Sequence, residues 1–309
     1  MKKNYLMSNV LWRAAATVAV MGITTTVATA TEPCGGFGEC KVLIEINTTD
    51  GDIGFHFLVD GDDLVKVEGK NPEGKKFFKA DAKKELREQF FTETFVESAE
   101  PLCTEELAEK EGEDFFVTLE EFLERWSPGT YTFKGKADEG EKPEGETVLT
   151  HKLPAAPTGL MFDDEDAVIS WAAGVDLGEC ATDAELYDLV MDGVLPLHPK
   201  YVPVDAWEVV FEPDVEAEDN ASPEELAAAE ALGKLKFTIR VAGDIAMKEV
   251  TVPAEYLASL PFNTPAKIEI GAIGADDNAT FTELVGVCAN EMGDGCEEEE
   301  DGGDDDDVD

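Results

Sequence analysis

Positively charged residues are scarce in this chain. Its 309 residues include 24 Lys and Arg against 69 Asp and Glu, which gives a net charge of −45 at pH 7. A surface this acidic repels the phosphates of nucleic acids and the anionic headgroups of membranes. The composition therefore excludes a nucleic-acid-binding protein and a protein that charge holds on an anionic membrane.

Three explanations fit the excess of acid: solubility in concentrated salt, binding of divalent cations, and recognition of a basic partner. Dense carboxylates keep a protein hydrated at high ionic strength, where their mutual repulsion is screened. The acidic residues are spread over the whole chain. That distribution favours the salt explanation over the other two.

Histidines and catalytic motifs are also scarce. The three histidines, His56, His151 and His198, are widely separated, and the sequence has no Gly-x-Ser-x-Gly motif and no glycine-rich phosphate loop. A nucleophilic triad needs a base beside its nucleophile, so each histidine is interpreted as a surface or packing residue. A carboxylate pair for glycoside cleavage is not recognisable among 69 acids. The sequence therefore predicts a protein that is not an enzyme.

Long apolar stretches are confined to the N-terminus. All charges in the first 30 residues are positive, an apolar stretch extends to about Val27, and Ala28-Thr29-Ala30 is a small-x-small cleavage signal. This pattern predicts a secretory signal peptide over 1–30, cleaved after Ala30. No lipobox precedes Cys34. We therefore expect no lipid anchor, and no membrane insertion once the signal peptide is removed.

The Met-Lys-Lys start is typical of a bacterial signal peptide, so we expect an exported protein that is periplasmic or extracellular. Three Asn-x-Ser/Thr triplets begin at Asn47, Asn220 and Asn278. They would accept glycans in a eukaryote. In a bacterium we interpret them as turn residues.

Six cysteines in an oxidising compartment predict three disulfides. Six cysteines allow fifteen connectivities, and loop closure favours near neighbours in the chain. We therefore expect Cys34–Cys40 and Cys288–Cys296, which leaves Cys103–Cys180. A metal site is the alternative, but the sequence contains no Cys-x-x-Cys motif.

The pattern of apolar residues predicts a mostly β chain with two β-sandwich domains and short helical insertions. Residues 31–40 form a Gly/Cys leader, and 41–152 form an all-β domain with one short helix at 118–126. No family is recognised for 41–152. Pro154–Pro157 is a short, stiff linker to a second domain over 153–290. The acidic run in 291–309 predicts a disordered tail.

The second domain, 153–290, carries a series of recognisable strand motifs. They are the opening Pro157–Leu160, the strand Val168-Ile169-Ser170-Trp171, the strand Trp207–Phe211, the approach Val252-Pro253 to Leu260-Pro261, and the strand Ala266–Ile273. With these motifs the domain resembles the fibronectin type III domain. The tyrosine usual after the Leu-x-Pro step of that family is absent, and Ile268 and Ile270 stand near that place. The resemblance implies an immunoglobulin-like sandwich with interaction or spacing roles.

Two enlarged loops of this domain, at 173–204 and 213–233, are the places where we expect a binding site. Capping boxes at Thr182 and Ser222 predict short helices at 182–191 and 222–232. Loops carried by a rigid sandwich commonly hold binding residues.

Acidic turns offer the best candidate for a metal site. Asp50 and Asp52 lie in a predicted turn between two strands, and a second acidic turn is predicted at Asp60–Asp63. Hard oxygen ligands close together are what Ca²⁺ requires. Because the two turns would lie at opposite ends of strand 53–59, they cannot form one site. We therefore predict Asp50 and Asp52 as candidate calcium ligands that join a third loop, and no other cofactor.

These observations predict an exported, non-enzymatic binding or cell-surface interaction protein, with calcium as a candidate stabiliser and an unknown protein or glycan as partner. One alternative is a carbohydrate-binding or accessory module of an extracellular hydrolase system. Its aromatic platform would consist of Trp126, Trp171, Trp207 and Phe211, although tryptophans at strand spacing are more often core residues. The other alternative is a structural subunit of a surface layer or fibre, which would have an unpaired sheet edge.

Overall fold

The computed structural model describes residues 34–113, 115–215, 222–290 and 296. The predicted signal peptide, and the predicted tail apart from Cys296, lie outside these residues. Among the helices of the described part, none has the length and apolar character needed to cross a membrane.

The described chain is mostly β with few helices, so the predicted fold class is confirmed. Two short 3-10 helices lie at Gly178–Cys180 and Pro199–Tyr201. The strands are β1 Glu39–Asn47, β2 Asp52–Lys70, β3 Lys76–Asp81, β4 Phe91–Glu97, β5 Gly129–Ala137, β6 Glu144–Leu149, β7 Pro157–Asp163, β8 Val168–Ala173, β9 Val204–Pro213, β10 Phe237–Ala242, β11 Glu249–Thr251, β12 Thr264–Gly274 and β13 Ala279–Ala289; the α-helices are α1 Lys84–Gln89, α2 Glu105–Glu111, α3 Leu119–Arg125, α4 Asp183–Met191, α5 Pro223–Leu232 and α6 Ala254–Leu257.

Ten strands form one sheet along the path β10-β9-β12-β13-β1-β2-β5-β6, with β3 and β4 on the other side of β2. The contact between β1 and β13 is parallel, whereas the other pairs of this sheet are antiparallel. The sheet therefore extends without a break from the predicted first domain into the predicted second domain. The boundary at 152/153 stays a prediction.

The turn predicted at Asp60–Asp63 is wrong, because these residues lie inside β2. The first half of β2 pairs with β1, and its second half pairs with β5. The register with both β4 and β5 shifts near Leu64, and Asp63 has a positive φ of 47°. β-bulges and turns favour the same Asp and Gly residues. Here these residues bend a continuous strand and do not reverse the chain direction.

The bend in β2 folds the sheet around a first core. Phe55 from the first half of β2 stacks on Trp126, with ring centroids 3.8 Å apart. Phe57 meets Phe77 of β3 edge to face at 5.5 Å. Strands that switch layers at a bend are how orthogonal β-packings form their corners. The helices α2 and α3 contribute buried leucines to the same core.

A second core lies between the β9–β12–β13 part of the large sheet and a three-stranded sheet of order β11-β8-β7. Trp171 of β8 and Trp207 of β9 meet there, with ring centroids 6.0 Å apart. The Trp207 indole N–H donates to the carbonyl of Gly243 at 3.1 Å. The strand Ala167–Trp171 is thus a core strand, and its alternating pattern reflects one buried face.

The segment at 150–157 crosses β13 between the two cores. Thr280 and Thr282 of β13 donate from their hydroxyls to the carbonyls of Pro154 (2.7 Å) and Pro157 (2.9 Å). The fully buried Asn278 donates to the carbonyls of Thr150 (2.9 Å) and Lys152 (3.2 Å), and its side-chain oxygen accepts from the N–H of Ile44 (2.9 Å). Asn278 follows a turn, as predicted, and its side chain joins three separate segments.

The helices expected at 118–126, 182–191 and 222–232 appear as α3, α4 and α5. Thr182 forms the complete capping box, and the Thr118 hydroxyl accepts from the N–H of Glu121. The structure adds α1, α2 and α6, which the sequence analysis missed. None of these helices is longer than seven residues, and so short a segment shows little helical periodicity.

The structure contains three disulfides, Cys34–Cys40, Cys103–Cys180 and Cys288–Cys296. Their pairing is the one that loop closure favours. Cys103–Cys180 spans 77 residues and links the loop before α2 to the 3-10 helix before α4. Cys34–Cys40 spans only six residues.

Loop length predicts unequal contributions from these disulfides. Replacing Cys103 and Cys180 by Ser should lower the free energy of unfolding by about 4 kcal/mol, and replacing Cys34 and Cys40 by about 2 kcal/mol, because a longer closed loop restricts the unfolded chain more. Urea unfolding of both double variants measures the difference. Equal losses would contradict the loop-length explanation.

Asn278→Ala should lower the free energy of unfolding by about 3 kcal/mol, because it leaves the buried N–H of Ile44 and the carbonyls of Thr150 and Lys152 without partners. The control is Asn71→Ala in the surface turn between β2 and β3. There the side-chain oxygen accepts only from the nearby N–H of Lys75 (2.9 Å), and we expect a loss of less than about 1 kcal/mol. A similar loss in both variants, measured by urea unfolding, would refute the structural role of Asn278.

Candidate functional site

The face of the large sheet opposite the two cores carries carboxylates from several strands around a small buried apolar cluster of Ile273, Ala279 and Phe281. In β1 the even-numbered residues from Cys40 to Ile46 are buried in the core, so Glu45 lies on the opposite face. The β1–β13 and β12–β13 registers place Glu45 beside Ala279, and Glu269 directly opposite Glu283. We call this surface the outer acidic face; its carboxylates are Glu45, Asp52, Glu97, Glu100, Glu208, Glu212, Glu269 and Glu283.

Lysine and arginine balance one half of the outer acidic face. Glu208 pairs with Arg240, and Glu212 pairs with Lys236. Lys267 lies 3.2 Å from Glu283 and 3.6 Å from Glu212. Within the described residues no lysine or arginine forms an ion pair with Glu45, Asp52, Glu97 or Glu100, which make up the other half.

Glu269 lies in the middle of the balanced half and still lacks a cation of its own. Burial raises its pKa to about 7, and its cross-strand neighbour Glu283 adds to that rise, while Lys267 opposes it. Like charges directly opposite each other in a sheet repel. Glu269 therefore holds a proton under conditions in which an exposed glutamate is ionised.

Asp50 and Asp52, the predicted calcium ligands, lie at the turn between β1 and β2. The Asn47 amide donates to the carboxylate of Asp50 at 2.7 Å and to Glu283 at 3.2 Å. Burial raises the pKa of Asp52 to about 7, with further contributions from Glu100 and Asp50. The structure thus brings a third segment, the one that carries Glu100, to this turn. A metal at Asp50 and Asp52 stays a prediction.

The unbalanced half of the outer acidic face is centred on His56, whose side chain is only 5% exposed. Its Nε2 lies within hydrogen-bond distance of Oε1 of Glu100, at 3.1 Å, and Oε1 of Glu97 lies 3.8 Å from the same nitrogen. Its Nδ1 lies 3.9 Å from Oε2 of Glu45. Burial raises the pKa of Glu45 to about 7, and four other glutamates add to the rise, Glu100 most strongly.

The backbone of β2 holds Glu100 in place beside His56. The hydroxyl of Ser98 accepts from the N–H of Phe55 at 2.9 Å, and the N–H of Ser98 donates to the carbonyl of Phe55 at 3.0 Å. The N–H of Ile53 donates to the carbonyl of Pro101 at 3.2 Å. The segment after β4 therefore follows β2 closely and projects the Glu100 carboxylate onto the outer acidic face.

Sequence reasoning missed Glu45, His56 and Glu100 as a group. A four-residue turn at 48–51 fixes the β1–β2 register, which places Leu43 opposite His56 and Glu45 opposite Gly54. That register could have shown Glu45 and His56 on the same face. Glu100 lies 44 residues beyond His56, and no local pattern connects the two.

The other two histidines have structural contacts. Nε2 of His151 lies 2.9 Å from the carbonyl of Trp126, and its Nδ1 lies 3.3 Å from that of Val194. His198 lies 3.3 Å from the carbonyl of Asp183. Both rings are buried. They pack against backbone carbonyls, which fits their interpretation as packing residues.

Comparison with known proteins identifies no family. No protein-family model and no curated protein matches the chain. Among solved structures, it is similar to a chain from a study of host cell surface retention of a 1.5-MDa bacterial ice-binding adhesin, with 11% identity and a TM-score of 0.21 over 84% of this chain and 66% of that one. The BSP domain of a biofilm-associated protein gives 11% identity and a TM-score of 0.21 over 81% of this chain and 29% of that one. Likenesses this weak carry no argument about function.

The raised pKa of Glu269 predicts that stability falls as pH rises. The folded state holds a proton on Glu269 up to about pH 7, whereas the unfolded state releases it near 4.5, so folding is favoured least above pH 7. Glu269→Gln keeps the shape without the charge. Between about pH 5 and pH 8 we expect this variant to lose about 1–3 kcal/mol less of its free energy of unfolding than the parent chain.

The measurement is urea unfolding at several pH values, with Glu93→Gln in the exposed part of β4 as the control for removing one charge. The control should keep the pH dependence of the parent chain. If Glu269→Gln keeps it too, then Glu269 does not hold a proton in the folded state.

Proposed function

We propose that this chain is an exported, non-enzymatic interaction protein that binds a protein or glycan at a cell surface. The signal-peptide pattern and the three disulfides support export to an oxidising compartment. The structural contacts of His151 and His198 support a role without catalysis. The periplasm and the extracellular space both satisfy these observations.

The observation that carries the proposal is the unbalanced half of the outer acidic face. Four carboxylates from β1, β2 and the end of β4 lie on one surface with no lysine or arginine paired to them among the described residues. Two of the four, Glu45 and Asp52, have a pKa raised to about 7 by burial and by like charge. A cation, either an ion or a basic group of a partner, relieves this repulsion. The surface therefore suits a positively charged ligand.

The strand arrangement supports an immunoglobulin-like sandwich, of the fibronectin type III kind, over 153–290. Its seven strands divide into β7, β8 and β11 in one sheet and β9, β10, β12 and β13 in the other. A division of seven antiparallel strands into sheets of three and four is the immunoglobulin-like pattern. On this proposal the domain serves interaction or spacing, which is an argument from fold alone.

The carbohydrate-binding alternative has less support from the structure. Trp171 and Trp207 are buried in the second core, and Trp126 is half-buried against Phe55. These tryptophans do not form an exposed platform. The fibre alternative predicts self-association through the edge of β10, and sedimentation velocity at increasing concentration tests it directly.

The calcium part of the proposal is tested by thermal unfolding in EDTA, in Ca²⁺ and in NaCl of equal ionic strength. With Ca²⁺ about 100-fold above its Kd, the folded state gains about 2.7 kcal/mol. That gain should raise Tm by about 5 °C beyond the NaCl control. Asp50→Asn should remove this difference, because it removes one hard oxygen ligand from the turn.

Asp62→Asn is the matched control, since Asp62 is exposed at the bend of β2. It should keep the calcium response. If NaCl raises Tm as much as Ca²⁺ does, the acid acts through general salt screening, and a specific calcium site at Asp50 and Asp52 is rejected.

A further inference from the structure

We propose that Glu45, His56 and Glu100 form a binding site for a divalent transition metal of the zinc class. One donor atom from each of the three residues lies within 4.8 Å of the other two. The residues come from β1, from β2 and from the segment after β4. This site goes beyond the interaction role proposed above and does not depend on it.

The contacts of the His56 ring are incomplete for a buried histidine. A neutral imidazole carries one proton, so one of its two nitrogens keeps a lone pair. Nε2 lies 3.1 Å from Oε1 of Glu100, and Nδ1 lies 3.9 Å from Oε2 of Glu45, which is too far for a hydrogen bond. Among the described residues, no group donates a hydrogen bond to Nδ1. A separation of about 3.5–4 Å is what two donors on one zinc ion require, given Zn–N and Zn–O bonds of about 2.1 Å.

The charges around the ring favour a metal over a simple ion pair. Three carboxylates, those of Glu45, Glu97 and Glu100, lie within 4 Å of the His56 ring nitrogens. A protonated imidazole balances only one of them. The causes that shift the pKa of Glu45 include four glutamates and no cation. A divalent ion balances two carboxylates, and the half-exposed Glu97 is close enough to become a further ligand.

Gly54 leaves room for the side chains of His56 and Glu100. A Cβ atom built on Gly54 would lie 2.7 Å from Nε2 of His56 and 2.7 Å from Oε1 of Glu100. Any larger residue would therefore push the carboxylate away from the ring. Phe95 closes the side of the ring, with centroids 6.0 Å apart and planes nearly perpendicular. Packing thus fixes the imidazole, while the carboxylates around it keep contact with solvent.

The mixed donor set selects the class of metal. Zinc and its neighbours bind imidazole nitrogen together with carboxylate oxygen. Calcium and magnesium prefer sites made of oxygen alone. The buried imidazole therefore separates this site from the calcium ligands predicted at Asp50 and Asp52, although Glu100 lies near both.

Isothermal titration of the full chain, freed of metal with EDTA, tests the site with ZnCl₂ and, in parallel, CaCl₂. We expect one equivalent of Zn²⁺ to bind, and Glu45→Gln and Glu100→Gln each to weaken it by at least about tenfold. Both variants keep side-chain size, so folding should survive; circular dichroism checks this. His56→Gln should abolish binding if it folds. Glu93→Gln on β4 is the matched carboxylate control and should change the affinity less than twofold.

Two further readouts report on the ligands themselves. Histidine-ring NMR signals should shift on addition of Zn²⁺ for His56 and not for His151 or His198. Co²⁺ in place of Zn²⁺ should give visible absorption that Glu45→Gln weakens. Asp50→Asn should leave Zn²⁺ binding unchanged, so failure of the calcium prediction and failure of this site are distinguishable.

Zn²⁺ binding of equal strength in the parent chain, Glu45→Gln and Glu100→Gln would show adventitious binding to surface carboxylates and overturn the proposal. Absence of Zn²⁺ binding to the parent chain would overturn it as well. Ca²⁺ binding that Glu45→Gln and Glu100→Gln weaken, with no shift of the His56 ring signals, would replace it with an oxygen-only site.

Discussion

The parallel contact between β1 and β13 is the constraint on which the rest of the structure depends. Antiparallel hairpins form locally, whereas this pair joins residues more than 230 positions apart. Loop-closure entropy opposes such a contact, so side chains have to support it. Asn278 at the start of β13 bonds both β1 and the segment at 150–152, and the hydroxyls of Thr280 and Thr282 hold Pro154 and Pro157 across the strand.

Because that contact exists, the two large cores lie on one side of the sheet, and carboxylates from distant parts of the chain meet on the other. Glu45 of β1 becomes a neighbour of Glu269 and Glu208, which are far away in the chain. This outer face also buries a small apolar cluster of Ile273, Ala279 and Phe281. The repulsion between the carboxylates arises only when the strands assemble, since few of the outward residues are basic. Among the described residues, Lys267 balances one part of the surface, and no lysine balances the part around His56.

The sequence predicted most of what depends on local chemistry. Alternation gave the strands, and Thr118 and Thr182 marked helix starts because a hydroxyl at the N-cap has a defined partner. It did not predict how the strands assemble into the sheet. The Asp60–Asp63 signal could not distinguish a bend from a turn, because both need the same backbone freedom. The cluster of Glu45, His56 and Glu100 depends on the path of the segment after β4. Hydrogen bonds from that segment to the β2 backbone determine this path, and the local sequence pattern does not predict them.

The carboxylates of this chain therefore form two populations, one exposed and one half-buried, which differ in hydration and in pKa. Carboxylates on exposed surfaces, such as those of Glu105 and Glu120 in the first turns of α2 and α3, stay hydrated and keep the protein soluble in salt. Glu45, Asp52 and Glu269 are half-buried, and burial is the largest cause of their raised pKa. A poorly hydrated carboxylate contributes little to solubility, and when ionised it destabilises the fold. Hydration at high ionic strength would account for the first population but not for the second. The cation proposed for the outer acidic face would account for the second, because it would turn the mutual repulsion of these carboxylates into affinity.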